Sequence, residues 1–158
     1  YLPSRYQPLR ACLKRFHKEG YSFFDIGAGM GRAMVIAAES GFKKVEGVEL
    51  NLEPFKIAEE VLAGAFELYP EVEFNLLLEN ATQVDFKREK TFYYLYDPFL
   101  DDELRVVIAG IQKHSASSFI IYHNNIADKK GLFLKDSGLK LEEEYLFEGN
   151  RFYLYSIV

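Results

Sequence analysis

The sequence predicts an α/β protein built on one doubly wound sheet of seven strands, mostly parallel with an antiparallel terminal strand. Three observations predict this fold class. Short apolar runs of strand length alternate with longer stretches of helical periodicity along most of the 158 residues. The last two strand-like runs have no helix between them and flank Gly149-Asn150, which indicates a hairpin. The chain is 49% hydrophobic, with 14 Phe and 11 Tyr, so we expect a packed core.

Apolar spacing and helix-breaking residues place the individual elements. A first helix over about 7–18 ends at Gly20, and Asn51 with Pro54 begins the longest helix, over about 52–69. Asp101 and Asp102 begin a further helix, whose dipole their charges complement. The predicted strands cover about 21–26, 44–49, 72–78, 91–96, 117–122, 139–147 and 152–158, with a helix over about 31–40 and a loop over about 82–90.

Length and composition predict a single domain, with residues 1–20 as an N-terminal helical segment and 21–158 as the core. The net charge of -5 argues against broad nucleic-acid binding, which depends on a positive surface. The lone Cys12 falls on the apolar side of the first helix, so we expect a buried thiol and a cytoplasmic, reducing location. No apolar run in the residues shown approaches the ~20 residues that span a bilayer.

A glycine-rich turn follows the first predicted strand. The strand ends near Asp25, and Gly27, Gly29 and Gly31 then alternate before a helix. Such a strand–turn–helix unit lets backbone N–H groups and the helix dipole face a ligand. A dinucleotide fingerprint would place glycine where this chain has Arg32, so a nicotinamide-dependent oxidoreductase is the third of our hypotheses.

Polar residues follow the carboxyl ends of all five predicted parallel strands. Because those ends meet at one edge of such a sheet, we expect a single ligand cleft there. His123 in this set could act as a general base or be structural, and it lacks the neighbouring ligands of a metal site, so we expect no metal. The set comprises Asp25 to Gly31, Glu49, Glu79-Asn80-Ala81, Asp97-Pro98-Phe99 and His123-Asn124-Asn125.

The Gly-x-Gly-x-Gly pattern, preceded by Asp25 and followed by the strand-end acid Glu49, resembles the class I S-adenosylmethionine-dependent methyltransferases, whose fold is Rossmann-like. The resemblance covers nearly the whole chain and includes the terminal hairpin. More closely, the chain resembles small bacterial methyltransferase-like proteins related to the non-SET histone-lysine methyltransferases. The strings that carry this are Tyr1-Leu2-Pro3-Ser4-Arg5-Tyr6, Phe24-Asp25-Ile26-Gly27-Ala28-Gly29-Met30-Gly31-Arg32, Gly47-Val48-Glu49-Leu50 and Tyr96-Asp97-Pro98-Phe99.

The resemblance implies that the cofactor is S-adenosylmethionine and assigns residues to it. Glu49 would accept hydrogen bonds from both ribose hydroxyls, Leu50 would pack on one adenine face, and Asn80 would bind the exocyclic amine. Asp25 would order the glycine turn or meet the amino group of the cofactor. The glycines would let the backbone approach the methionine and ribose portions. The remaining implied cofactor residues are Gly27, Ala28, Gly29, Gly31 and Ala81.

Asp97-Pro98-Phe99 is the candidate reaction site. Amino-group methyltransferases of the family often have a second proline in this motif, which this chain lacks. Methyl transfer needs mainly alignment, so the resemblance implies an orienting role for Asp97, although Asp97 could instead cap the next helix. The leading hypothesis is therefore a methyltransferase acting on an amino group of a protein or small molecule that the sequence does not identify. A non-catalytic S-adenosylmethionine-binding regulatory module is the alternative.

Overall fold

A computed structural model describes residues 6–96, 101–124, 134 and 137–157 of the chain. Within these residues, helices and strands alternate as the apolar pattern predicts, except that a 3₁₀ turn and a loop join the third strand to the fourth. The last two strands form a hairpin. The elements are α1 (Gln7–Phe16), β1 (Ser22–Ile26), α2 (Arg32–Glu39), β2 (Lys44–Glu49), α3 (Leu52–Leu68), β3 (Glu73–Leu78), a 3₁₀ turn (Ala81–Gln83), β4 (Thr91–Tyr96), α4 (Asp101–His114), β5 (Phe119–Asn124), β6 (Lys140–Phe147) and β7 (Asn150–Ser156).

The seven strands form one sheet in the order β3-β2-β1-β4-β5-β7-β6. The strands β1 to β5 pair in parallel, and β7 lies antiparallel between β5 and β6. The chain runs outward from β1 to β3 and then crosses back to place β4 on the other side of β1. This reversal opens a crevice at the carboxyl ends of β1 and β4, where such sheets bind ligands. The predicted fold class is confirmed.

Helices cover both faces of the sheet. Neighbouring residues of a strand point to opposite faces, so each central strand contributes side chains to both cores. Phe23 and Tyr94 belong to the core beneath α1, α2 and α3, which also contains the buried Cys12. Phe24 and Tyr93 belong to the core beneath α4. All four aromatic side chains are buried, so the central strands are apolar on both faces and form near-continuous hydrophobic runs.

The predicted starts of the fifth and seventh strands, at 117 and 152, are each wrong by two residues. Strand β5 begins at Phe119 rather than 117, because Ser117 has a φ of 52° and belongs to the preceding turn. The hairpin turns at Glu148 and Gly149, whose φ values are 47° and 77°, and not at Gly149-Asn150. Phe147 therefore pairs with Asn150, and Asn150 is the first residue of β7. Two consecutive positive φ values define the turn type that matches the twist of paired strands.

The first helix is also shorter than predicted and ends at Phe16, where His17 leaves the helical conformation with a ψ of 135°. The predicted loop over about 82–90 begins within the 3₁₀ turn and packs Val84 and Phe86 into the core beneath α4. Among the described residues, every helix falls short of the length and apolar content needed to cross a membrane.

Candidate functional site

The glycine turn is held to the neighbouring strand by backbone hydrogen bonds. The N–H groups of Gly27 and Ala28 both donate to the carbonyl of Val48 in β2, at 3.0 and 2.9 Å. Gly27, Gly29 and Gly31 have φ values of 82°, 54° and 78°, where an L side chain is strained. The turn is therefore a fixed backbone structure, and its N–H groups at Gly27 and Ala28 are already used.

Gly29 and Gly31 have different surroundings. A Cβ built on Gly29 would have no heavy atom within 4 Å, so this position faces open space. A Cβ built on Gly31 would lie 3.1 Å from the Cβ of Ala58 in α3. Gly29 can therefore let a ligand approach the backbone. Gly31 allows the start of α2 to pack closely against α3, and its predicted cofactor role stays a prediction.

Glu49 joins the two segments that border the candidate site. Its side chain is only 7% exposed. One carboxylate oxygen, Oε2, accepts from the N–H of Gly29 at 2.7 Å, and Oε1 accepts from the N–H of Asn51 at 2.8 Å. Since a carboxylate oxygen can accept more than one hydrogen bond, Glu49 keeps acceptor capacity for a ligand.

Asp25 lies one strand away from Glu49, at the carboxyl end of β1, and is 3% exposed. Burial, together with the charge of the neighbouring Glu49, raises the pKa of Asp25 to about 7. Both effects disfavour the ionised form of the side chain. Asp25 therefore changes its protonation state near neutral pH, and a ligand cation beside it would favour the carboxylate.

A cavity of about 220 Å³ opens beside Glu49. It brings together five of the residues that the sequence assigns to the cofactor, from the ends of β1, β2 and β3. Leu50, in the wall of the cavity, is 61% exposed, as an apolar surface for a flat ligand must be. The lining residues are Gly27, Val48, Glu49, Leu50, Asn51, Glu79, Asn80, Ala81 and Glu103.

Glu103 in this lining was not predicted. It lies in the first turn of α4 together with Asp101 and Asp102. Acidic residues at a helix N-terminus are already explained by the helix dipole, so the sequence carried no separate signal for Glu103. Its position in the cavity depends on how α4 packs against the sheet, which is a property of the folded chain.

Asn80 caps the 3₁₀ turn. Its Oδ1 accepts from both the N–H of Thr82, at 2.9 Å, and the Oγ1 hydroxyl of Thr82, at 2.7 Å. The backbone N–H can only donate, so the Oδ1 and Nδ2 positions of the amide are fixed. The group that Asn80 can offer to a ligand is therefore the Nδ2 amide, a hydrogen-bond donor. Its contact with a cofactor stays a prediction.

His123 is not among the residues that line this cavity. The side chain is 6% exposed, its Nδ1 lies 2.7 Å from the Tyr94 hydroxyl, and its Nε2 lies 2.8 Å from Oδ1 of Asn150. Burial lowers the pKa of His123 to about 4, against the opposing effect of the Asn150 hydrogen bond. These contacts support the structural interpretation of His123. Across the described ranges, no three His, Cys, Asp or Glu side chains are grouped to hold a metal ion.

Asp97, Pro98 and Phe99 lie outside the described residues, as does Asn125. The flanking elements are described: β4 ends at Tyr96 and α4 begins at Asp101. The predicted reaction motif therefore follows a central strand of the sheet and precedes the helix that carries Glu103. Its roles stay predictions.

Comparisons with known proteins show similarity in structure only. No family model matches the chain, and no curated protein matches its sequence. The glycopeptide N-methyltransferase MtfA in complex with S-adenosylhomocysteine matches with a TM-score of 0.84 at 10% identity, over 100% of this chain and 92% of MtfA. A SAM-dependent methyltransferase from Aquifex aeolicus matches with a TM-score of 0.77 at 16% identity, over 99% and 94% of the two chains. A TehB-like SAM-dependent methyltransferase from Corynebacterium glutamicum matches with a TM-score of 0.66 at 16% identity, over 98% and 95%. The chain thus has the Rossmann-like fold of these methyltransferases.

Proposed function

We propose that this protein is a methyltransferase that uses S-adenosylmethionine as its methyl donor. The observation that carries the proposal is the buried carboxylate of Glu49, which borders the cavity and accepts the N–H of Gly29 in the glycine turn. A carboxylate held in this way can accept hydrogen bonds from the paired hydroxyls of a ribose. The structures of MtfA with S-adenosylhomocysteine, sinefungin and S-adenosylmethionine lend support through the shared fold.

The described residues fit the parts of this cofactor. The exposed Leu50 offers an apolar face for the purine, and the polar groups of Asn80 and Ala81 lie in the same wall of the cavity. Gly29 leaves space beside the backbone for the portion that joins ribose to methionine. Asp25, buried next to Glu49, would balance the charge of the cofactor's ammonium group.

When bound, S-adenosylmethionine supplies an electrophilic methyl carbon on a sulfonium. We assign Asp97 to orienting an acceptor amine and Phe99 to contacting it, with Pro98 shaping the motif. The acceptor nitrogen would form a bond to the methyl carbon as the carbon–sulfur bond breaks, leaving S-adenosylhomocysteine. The proton of the resulting ammonium would pass to solvent. Because an amine that arrives neutral needs alignment more than a strong base, the buried position of His123 is compatible with this assignment.

We infer that the acceptor is an amino group of a protein or a small molecule. Two strings, Gly47-Val48-Glu49-Leu50 and Tyr96-Asp97-Pro98-Phe99, support a relation to small bacterial methyltransferase-like proteins and to the non-SET histone-lysine methyltransferases. We also place the protein in the cytoplasm, because its lone cysteine, Cys12, is a buried free thiol.

Incubation with methyl-labelled S-adenosylmethionine and cell extract tests the proposed activity. We expect label in a protein or small-molecule fraction with the wild-type chain, and loss of most of that label with Asp97→Ala. Thermal unfolding of the two proteins, with and without S-adenosylhomocysteine, controls for folding and cofactor binding. Binding of S-adenosylhomocysteine without label in any fraction would instead support a non-catalytic regulatory module.

A further inference from the structure

The two edges of the sheet differ in how they are protected against further pairing. Strands β3 and β6 are the edge strands of the described sheet, since each has a neighbour on one side only. Strand β6 carries Lys140, the consecutive glutamates 142–144 and a register irregularity in the same segment. Charges and bulges of this kind block the addition of another strand. Strand β3 has a single charge, Glu73, at its first residue and pairs with β2 in unbroken register, so its outer edge is open to pairing.

The backbone of β3 offers a regular set of hydrogen-bonding groups at this edge. The N–H of Glu73 donates to the carbonyl of Lys43 at 2.8 Å, on the β2 side. Backbone groups of alternate residues point to the same side of a strand, so the odd-numbered residues of β3 face β2. Phe74, Leu76 and Leu78 therefore present their N–H and carbonyl groups outward, where no other described strand pairs with them.

An apolar cavity of about 430 Å³ lies beside this edge, between α3 and β3. Phe66 in its wall is 54% exposed, and Leu68 and Leu78 are further exposed apolar side chains of the same two elements. The lining residues are Glu59, Leu62, Ala63, Phe66, Val72, Glu73, Phe74 and Leu76. Exposed apolar surface beside open backbone groups is typical of an interface that adds a strand to a sheet.

A second copy of the chain fits this edge because the sequence of β3 is complementary to itself. Two β3 strands can run antiparallel about a two-fold axis at Asn75, which places Phe74 of each copy opposite Leu76 of the other. The two Asn75 amides then lie opposite each other and can exchange hydrogen bonds. Glu73 lies opposite Leu77, so like charges do not meet across the pair.

Charge selects this register over the next one along the strand. A two-fold axis at Leu76 would also pair the outward backbone groups, but it would place Glu73 of each copy opposite Glu79 of the other. Like charges directly opposite each other on paired strands are destabilising. The register centred on Asn75 avoids this repulsion and keeps the apolar side chains of both strands on the face that α3 covers.

We propose that the protein forms a two-fold homodimer in which the β3 strands of two copies pair antiparallel about Asn75 and join their sheets into one. The α3 helices of the two copies would lie side by side on one face of the joined sheet, and each would cover the exposed Phe66 of the other. An isologous contact of this kind closes on itself and leaves the protected β6 strands as the outer edges. The dimer does not depend on the proposed function.

Sedimentation velocity over a range of chain concentrations measures the assembly. We expect the wild-type chain to sediment as a dimer at high concentration, and Asn75→Asp to weaken self-association about tenfold, because two carboxylates would lie directly opposite each other. Asn75 is exposed, so thermal unfolding should show a folded variant. Gln7→Glu adds the same charge at an exposed position of α1 and is the matched control, which should dimerise as the wild-type chain does.

Oxidation of Asn75→Cys tests the register. Directly opposite residues of a non-hydrogen-bonded antiparallel pair have Cα atoms about 4.5 Å apart, which a disulfide can span. We expect Asn75→Cys to give a reducible dimer on denaturing electrophoresis. Glu73→Cys is the control, because its two cysteines would lie about 14 Å apart and should not cross-link. The native Cys12 is buried and should not compete.

Three results would overturn the proposal. A wild-type chain that stays monomeric at every concentration would exclude the dimer and leave the open edge to a different protein. A dimer that Asn75→Asp leaves intact would place the contact elsewhere on the chain. Cross-linking of Glu73→Cys as readily as Asn75→Cys would exclude the register centred on Asn75.

Discussion

The hydroxyl of Tyr94 donates to Nδ1 of His123 across 2.7 Å, in the middle of the sheet. The direction of this hydrogen bond follows from the partner of the other ring nitrogen, Nε2. Nδ2 of Asn150 donates to the carbonyl of Glu148 at 3.2 Å, so Oδ1 of Asn150 faces the ring and must accept from Nε2. His123 is therefore a neutral imidazole with one fixed tautomer, and it links β4, β5 and the terminal hairpin.

Replacing His123 by Gln should change how stability depends on pH. Burial lowers the pKa of His123 from 6.5 to about 4, so the unfolded chain binds this proton first as pH falls. The contribution of the neutral His123 to folding stability is complete above pH 6.5 and is lost progressively toward pH 4. We expect the stability of the wild-type chain relative to His123→Gln to fall by about 3 kcal/mol over that range. Urea unfolding at a series of pH values measures this change. A difference in the free energy of unfolding between the two proteins that stays constant with pH would contradict the prediction.

Asp25→Asn should give the opposite slope. The pKa of Asp25 is raised from 3.8 to about 7, so the folded chain holds a proton that the unfolded chain has released. The contribution of the protonated Asp25 to folding stability is complete below pH 3.8 and is lost as pH rises toward 7. The stability of Asp25→Asn relative to the wild-type chain should therefore rise with pH by about 4 kcal/mol over this interval. The same urea series tests this prediction. A fall in the relative stability of Asp25→Asn with rising pH would contradict it.

The alternation of strands and helices could be predicted because the central strands are apolar on both faces, as Phe23-Phe24 and Tyr93-Tyr94 are. The hairpin turn could not be placed. Glu148-Gly149 and Gly149-Asn150 both have turn composition, and only the pairing of β6 with β7 decides that Glu148 takes the positive φ. Similarly, Ser117 has the polarity of either a strand end or a turn.

Of the candidate site, the sequence predicted the residues that follow directly from strand ends, such as Glu49 and Asn80. It could not predict which atoms of Asn80 are used locally, because that depends on the 3₁₀ conformation at Thr82. Nor could it predict why position 47 is a glycine. The missing Cβ of Gly47 leaves room for Sδ of Met34, which lies 2.8 Å from the ideal Cβ position. The first feature depends on local backbone conformation, and the second depends on the packing of α2 against β2.

Glu46→Gln should destabilise the fold strongly. Oε2 of Glu46 accepts from Nε of Arg88 at 2.9 Å, and the two side chains are 7% and 19% exposed. Removing one charge leaves the Arg88 guanidinium, which lies 4.6 Å from the centroid of the Phe24 ring, without its counterion. We expect a loss of about 3 kcal/mol in the free energy of unfolding.

Glu71→Gln is the matched control for that experiment. Glu71 pairs with Lys43 at 3.5 Å, and their side chains are 52% and 63% exposed. An exposed pair of this kind contributes about 0–1 kcal/mol, so the control should remain close to the wild-type chain. Equal losses in the two variants would show that burial does not distinguish these ion pairs.

Gly31→Ala and Gly64→Ala should have opposite effects on stability. Alanine at Gly31 would have to adopt a φ of 78° with its Cβ 3.1 Å from that of Ala58, at a cost of about 1–3 kcal/mol. Gly64 lies inside α3, where an added Cβ meets nothing within 4 Å, so alanine should gain about 1 kcal/mol of helix propensity. Thermal unfolding separates the two. A Gly31→Ala protein as stable as the wild-type chain would contradict the close approach of α2 and α3.

Calorimetric titration of S-adenosylhomocysteine into the wild-type chain, Glu49→Gln and Glu53→Gln tests the proposed cofactor site most directly. Glu53 is an exposed acid in the first turn of α3 and serves as the charge-matched control. We predict binding to the wild-type chain and to Glu53→Gln, and affinity at least tenfold lower in Glu49→Gln, because charge-assisted hydrogen bonds to the ribose would be lost. Equal affinity in all three proteins, or binding of a nicotinamide dinucleotide in place of S-adenosylhomocysteine, would contradict the account.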